Sequence, residues 1–274
     1  MNAPAHPFAK PRVQPDPFRL DGRVALVTAG AGHLGTAIVR LLCELGAHVL
    51  VNGRNEENLT QMCSELGALG LSAAPCAFDV LDMKAARAAL TQVSRLDILV
   101  NNAVSMQPGP LDSVTQEAFD TAFCSGAFAP FELMRIALPA LERAVAATGQ
   151  ASIINVASMY GHVAPDPRIY DGTPFNSPPH YAATKGALIQ LTRYMACQWG
   201  TKGIRVNAVS PGPFPRDAIR TGHPDFAARL AARVPMGRVG EAHEAASAIA
   251  FLASDAASFI TGINLPVDGG WTAW

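Results

Sequence analysis

The chain has 274 residues, 49% hydrophobic and 16% charged, which is enough to bury one large core. A net charge of −1 argues against a nucleic-acid or membrane surface as partner. The five cysteines (Cys43, Cys63, Cys76, Cys124, Cys197) are scattered, with no CxxC and no Cys/His ligand spacing, so no metal site is expected and buried free thiols in a reducing compartment are. There is no signal peptide and no apolar run of roughly 18 residues, so the chain is expected to be soluble and cytoplasmic.

Residues 1–17 hold five prolines and little that could pack, and read as a flexible tail ahead of one domain over 18–274. Arg23 to Thr28 is a short buried strand that runs into Ala29-Gly-Ala-Gly-His-Leu-Gly35 and then a helix from about Thr36 to Leu45. Strand, glycine turn and helix in that order make an anion site, because backbone N–H groups and a helix N-terminus face the phosphates of a dinucleotide. A second strand (Ala47 to Val51) follows at the expected distance and ends in Asn52-Gly53-Arg54. A carboxylate there would suit the ribose of NAD. None is present, and Arg54 can pair with a 2′-phosphate, so NADP(H) is favoured over NAD. The plainer alternative is an arginine exposed at a helix start.

Helix, strand (Ala74 to Phe78) and helix alternate over 55–95, with Asp79 at the strand end in position to meet an adenine. A fourth strand ends in Asn101 and Asn102, whose amides suit backbone bracing beside a cofactor. A long helical region spans about Thr115 to Thr148, where Pro130 and Pro139 are expected to interrupt it. Its many apolar residues, Phe119, Phe123 and Phe128 among them, suggest a subunit interface. Ala151 to Ser158, Ile204 to Ser210 and Ile263 to Val267 read as three further strands. The βα alternation implies α/β architecture: one Rossmann-type, doubly wound parallel sheet of about seven strands with helices on both faces. Gly30, Asn101, Ser158 and Pro211 would fall at its carboxyl edge, where ligands of such sheets bind.

From His180 to Met195 the spacing of Leu188, Leu191 and Met195 predicts a helix. Tyr181 and Lys185 are four apart and so share a face. An ammonium beside a phenol should lower the tyrosine pKa from about 10 and fit it for proton transfer near neutral pH.

Taken together, Leu26-Val-Thr-Ala-Gly-Ala-Gly-His-Leu-Gly, Asn101-Asn-Ala, Asn155-Val-Ala-Ser, Tyr181-Ala-Ala-Thr-Lys, Ile204-Arg-Val-Asn, Ser210-Pro-Gly and Val267-Asp-Gly-Gly resemble the short-chain dehydrogenase/reductases over residues 18–274. The resemblance implies a nicotinamide cofactor and a small carbonyl or alcohol substrate. It gives Tyr181 the role of proton donor, Lys185 that of ribose binder and tuner of the tyrosine, and Ser158 that of the hydroxyl holding the substrate oxygen. It extends the cofactor set to Thr28, Gly30, Gly32, His33, Leu34, Gly35, Asn52, Arg54, Asp79, Val80, Asn102, Ala103, Pro211 and Gly212. A homo-oligomer, tetramer or dimer, is also implied.

The chain departs from the family at several points. Ala29 takes the place of the first glycine of the turn and resists the positive φ expected there. His33 stands at another of the turn's positions and could contact a phosphate or face solvent. Val104 replaces the glycine after Asn-Asn-Ala. Gly126, with Ser125 beside it, falls where the family often carries an asparagine that holds a water next to the lysine. Reduced or altered catalysis is expected from that change; the plainer alternative is that Ser125 or water takes the amide's place.

Ser158 and Tyr181 lie 23 positions apart, a longer gap than the family's usual one. The insertion near 164–180 carries Arg168, Tyr170, Asp171, Asn176 and His180, a polar rim that suits a sugar, sugar acid or polyol. Arg168 could clamp an anion; the insertion could equally pack against a neighbouring subunit. Tyr160 and Phe214 are expected on the substrate side, and Pro211 to Val234 as a wall that closes over the site. A carbonyl reductase or alcohol dehydrogenase is the leading expectation, with a 3-oxoacyl reductase and a catalytically faded nicotinamide-binding protein as alternatives.

Overall fold

A computed structural model describes residues 16–109 and 111–274. Apart from Asp16 and Pro17, the expected proline-rich tail lies outside these residues. Seven strands, β1 (Val24–Val27), β2 (His48–Gly53), β3 (Ala73–Ala77), β4 (Ile98–Asn101), β5 (Ala151–Val156), β6 (Ile204–Pro211) and β7 (Asn264–Val267), pair side by side in the order β3-β2-β1-β4-β5-β6-β7. Every pairing is parallel.

Side chains alternate across a strand, so each strand feeds two cores. Ala25, Val27, Ile98, Val100, Ile154 and Val156 face one helical layer. That layer is α1 (His33–Glu44), α2 (Glu56–Ala68) and α9 (Ala242–Ala253), which contribute Ile38, Leu59 and Ile249. Leu26, Leu99 and Ile153 face the other, built on α3 (Met83–Thr91), α5 (Ala129–Thr148) and α6 (Pro179–Trp199), with Leu90, Met134 and Met195. The fold is therefore the doubly wound Rossmann-type sheet expected from the βα alternation. No helix among the described residues is long and apolar enough to cross a membrane.

The region 115–148 corrects one expectation. Neither proline breaks it. α4 (Gln116–Phe123) passes through a π-helical turn over Cys124–Phe128 directly into α5. Pro130 sits directly after the π-turn, where the hydrogen-bond ladder is already irregular and a residue without an N–H is accommodated. Pro139 is inside α5 but on its exposed side, where water can satisfy the carbonyl its ring leaves free.

Two short helices, α7 (Asp217–Gly222) and α8 (Pro224–Arg233), follow β6 and stand over the carboxyl edge of the sheet. The segment after β5 holds a 3-10 turn at Met159–Gly161 and, within the insertion, another at Pro167–Ile169, and the insertion packs on α8.

Candidate active site

The sheet order reverses between β1 and β4, and a cleft of about 350 Å³ opens there at the carboxyl edge. Gly32, Asn52, Arg54, Asp79, Val80 and Ala103 from the expected cofactor set line it. At its floor, Gly32 caps α1 with no side chain, and the first intrahelical bond runs from the Thr36 N–H to the Gly32 carbonyl (2.9 Å). The amides of His33, Leu34 and Gly35 are thus open donors, the arrangement a diphosphate needs. Gly35 cannot be replaced, because a Cβ there would collide with the Ala29 carbonyl. The Ala29 departure leaves the loop path intact: the alanine itself takes φ +50°.

The turn is braced from β4. The Thr28 hydroxyl accepts the N–H groups of Asn102 (2.8 Å) and Ala103 (3.0 Å). The Asn102 amide donates to the carbonyls of Thr28 and Ala29. Asn52 is structural, its amide donating to Cys76 and Phe78 carbonyls (2.9 and 3.1 Å). Arg54 is exposed at the rim and forms no ion pair with the described residues, and the only carboxylate lining the cleft, Asp79, accepts the Leu81 N–H. These features fit a dinucleotide that carries an extra phosphate. Sequence reasoning passed over Asn55, which caps α2 beside Arg54; its signal was an Asn followed by Glu-Glu at a helix start.

Ser158 follows β5 by two residues in extended backbone and caps the next turn, its hydroxyl accepting the Tyr160 N–H (3.2 Å). Gly161 makes the next approach. A Cβ there would stand 2.8 Å from the Lys185 carbonyl carbon, so only glycine lets the serine turn press on α6 beside Tyr181 and Lys185. That positioning residue was not singled out from sequence; a glycine three places after the serine was the available signal.

Lys185 is fully buried and donates to the Val156 carbonyl at 2.6 Å. Its Nζ lies 5.7 Å from the Tyr181 ring centre. Burial pulls its pKa down to about 8. Burial also pushes the Tyr181 phenol above its ordinary value, against a smaller opposing effect from the Ser158 hydroxyl. The expected lowering by a neighbouring cation is therefore not found: desolvation of the phenol outweighs the Ser158 hydrogen bond that opposes it.

At Gly126 there is no room for the family's asparagine. A Cβ would meet the Thr184 methyl at 2.5 Å and a Val104 methyl at 3.1 Å. Ser125 is not a substitute, since its hydroxyl accepts the Ser105 N–H (2.9 Å) and lies 2.8 Å from the Thr121 carbonyl, to which it donates.

The substrate side differs from the expected rim. Arg168 turns out to solvent, its side chain 82% exposed and doubly bonded to Asp166, a nearer anion than any in the cleft. His180 is buried, with Nε2 3.2 Å from the Gln107 carbonyl and its ring edge-on to Phe119. Asn176 accepts the Gly109 N–H. Facing inward instead are Tyr160 and Tyr170, which share one apolar cluster with Tyr181. Pro211 and Gly212 leave β6 with the Gly212 N–H on the Val267 carbonyl. The Phe214 ring packs on Gly240 in a separate hollow, and its carbonyl meets His33 Nε2 at 3.2 Å. His33 thus ties the glycine turn to the wall above it.

Known proteins agree with this geometry. A family-wide profile described as enoyl-(acyl carrier protein) reductase matches residues 29–272. Gluconate 5-dehydrogenase of Gluconobacter oxydans (strain 621H) is 34% identical over 264 residues, 94% of this chain and 98% of the relative. Galactitol 2-dehydrogenase (L-tagatose-forming) of Cereibacter sphaeroides is 36% identical over 265 residues, again 94% and 98%. The crystal structure of a gluconate 5-dehydrogenase from Burkholderia cenocepacia J2315 in complex with NADP and tartrate superposes with a TM-score of 0.84 at 33% identity, covering 94% of this chain and 98% of that one. The chain belongs to the short-chain dehydrogenase/reductase family, NAD(P)-dependent enzymes that act on CH–OH groups.

Proposed function

We propose that the protein is an NADP(H)-dependent oxidoreductase that interconverts a carbonyl and a secondary alcohol on a polyhydroxylated small molecule, a sugar acid or polyol. The observation that carries this is that Ser158 and Lys185 both meet Tyr181 on the edge of the sheet that also presents an open helix N-terminus and an Arg54 with no ion pair among the described residues. Relatives named for gluconate and galactitol, and NADP in the gluconate 5-dehydrogenase structure, support the substrate class and the cofactor.

Backbone amides of His33 to Gly35 would hold the diphosphate, and Arg54 with the N-terminus of α2 the 2′-phosphate. The bound cofactor supplies or accepts the hydride. As negative charge grows on the substrate oxygen, Ser158 and Tyr181 donate hydrogen bonds that strengthen toward the transition state. Tyr181 then gives its proton to that oxygen, and in the reverse direction its phenolate takes the proton from the alcohol. Lys185, anchored on Val156, keeps a positive or polarised N–H next to that phenol. Exposed Phe119, Phe123 and Phe128 along α4 and its π-turn support a homo-oligomer, and five free cysteines fit a reducing compartment such as the cytoplasm.

The test is turnover of NADP+ or NADPH with gluconate, galactitol and their keto forms, with a 3-oxoacyl thioester in parallel. Activity on the hydroxylated compounds is expected, falling at least about a hundredfold in Tyr181→Phe. Cofactor binding with no turnover across the panel overturns the reading, and activity confined to the thioester replaces it with an acyl reductase.

A further inference from the structure

The insertion turns one side chain toward the chemistry. Tyr170 closes the 3-10 turn Pro167–Ile169, and its hydroxyl lies 2.7 Å from that of Tyr160 in the turn after Ser158. Each ring is wedged by a different part of the chain. Tyr160 stands edge-on to Trp271 of the C-terminal segment, ring centres 6.5 Å apart. Tyr170 leans on Phe226 of α8 at 5.8 Å, and Phe226 stacks on Phe175 of the insertion at 4.6 Å. Arg229 of α8 donates to the Asp171 carbonyl at 2.6 Å and pins the same stretch. The two hydroxyls are therefore held in place before any substrate arrives.

The hydrogen count gives this pair a job. Two phenols carry two O–H hydrogens, and their mutual bond uses one. The other has no acceptor among the described residues. The oxygens also keep lone pairs free. Burial pushes both phenols above their ordinary pKa, so they remain neutral donors and acceptors rather than proton-transfer groups. Tyr181 packs in the same cluster, which puts this unused hydrogen-bonding capacity beside the reacting centre.

We propose that the Tyr160–Tyr170 pair binds a second, non-reacting hydroxyl of the substrate, making the insertion a specificity element for polyhydroxylated compounds over plain alcohols and ketones. This rests on the oxidoreductase reading above. A site built to hydrogen-bond a hydroxyl discriminates against an analogue lacking it, because the buried donor is then left unpaired.

Tyr170→Phe removes one oxygen and keeps the ring against Phe226. The measurement is the ratio of kcat/KM for galactitol to kcat/KM for cyclohexanol, in wild type, Tyr170→Phe and Tyr160→Phe, with NADP+ saturating. A fall of about tenfold in the ratio, carried by KM for galactitol, is expected for Tyr170→Phe. Tyr160→Phe should lower the same ratio. A purely structural bond would slow both alcohols together, so a ratio that falls less than about threefold in both variants overturns the assignment. A wild type that oxidises cyclohexanol but neither galactitol nor gluconate removes the polyol reading itself, and the assignment with it. A wild type that prefers galactitol while the ratio holds in both variants removes only the assignment.

Discussion

Arg54 shows how much one side chain can decide. It stands at the end of β2, exposed, with no ion pair among the described residues, and the cleft beside it offers no carboxylate except Asp79. A charge-assisted bond to a phosphate is worth about 1.5–3 kcal/mol, so Arg54→Ala should weaken NADPH binding about 10- to 100-fold. NADH, which lacks the phosphate, should change little; fluorescence titration with both nucleotides separates the two. Equal weakening of both would mean that Arg54 holds the loop rather than the phosphate. Arg54 and the glycine turn were legible because local order in the chain fixes where they point. Arg168 was not, because its partner was its own neighbour Asp166, two positions away, and short-range pairing beats a distant ligand. The Tyr181 pKa was misread for a related reason: helical spacing reveals proximity to Lys185 but not the burial that reverses the sign.

Among elements, the π-turn at Cys124–Phe128 links two departures that look separate in the sequence. Val104 carries methyls where the family has a glycine, and Gly126 lacks the side chain the family often has. In the fold they face each other, and the Thr184 methyl crowds the same space. The volume gained on the β4 side is the volume lost on the helix. Gly126→Asn should therefore destabilise by about 2 kcal/mol, since overpacking a filled site costs that order. Adding Val104→Gly and Thr184→Ser to the same chain should recover at least half of it, a coupling that denaturant melts of the separate and combined variants can measure. A Gly126→Asn protein as stable as wild type would show the crevice to be soft. The strands were legible from their buried runs to within about two residues, as is usual for element edges. The unbroken helix was not, because whether Pro139 is tolerated depends on its carbonyl partner facing water, which only packing decides.

Over the whole molecule, stability and the site are separated by the length of the strands. At the amino edge of the strands, Asp97 is buried and satisfied by the Val24 N–H and the guanidinium groups of Arg23 and Arg95. At the carboxyl edge the balance runs the other way, because Lys185 is enclosed with no carboxylate paired to it among the described residues. Its pKa is lowered from 10.5 to about 8. Between those values the unfolded chain binds a proton that the folded chain does not, so wild-type stability rises with pH through that window. Below pH 8 the full penalty applies, on the order of 3 kcal/mol at about 1.4 kcal/mol per pKa unit. Lys185→Met fills similar space without charge but leaves the Val156 carbonyl unbonded, a loss of about 1 kcal/mol. The variant should thus be inactive yet more stable at pH 7 by about 2 kcal/mol, and the gain should fade as pH climbs from 8 toward 10.5. Chemical denaturation of both proteins at pH 7 and pH 10 reads this directly. A variant less stable than wild type at pH 7 would mean that the lysine is held by more than one carbonyl, and that the fold gives up nothing to keep a cation beside the Tyr181 phenol.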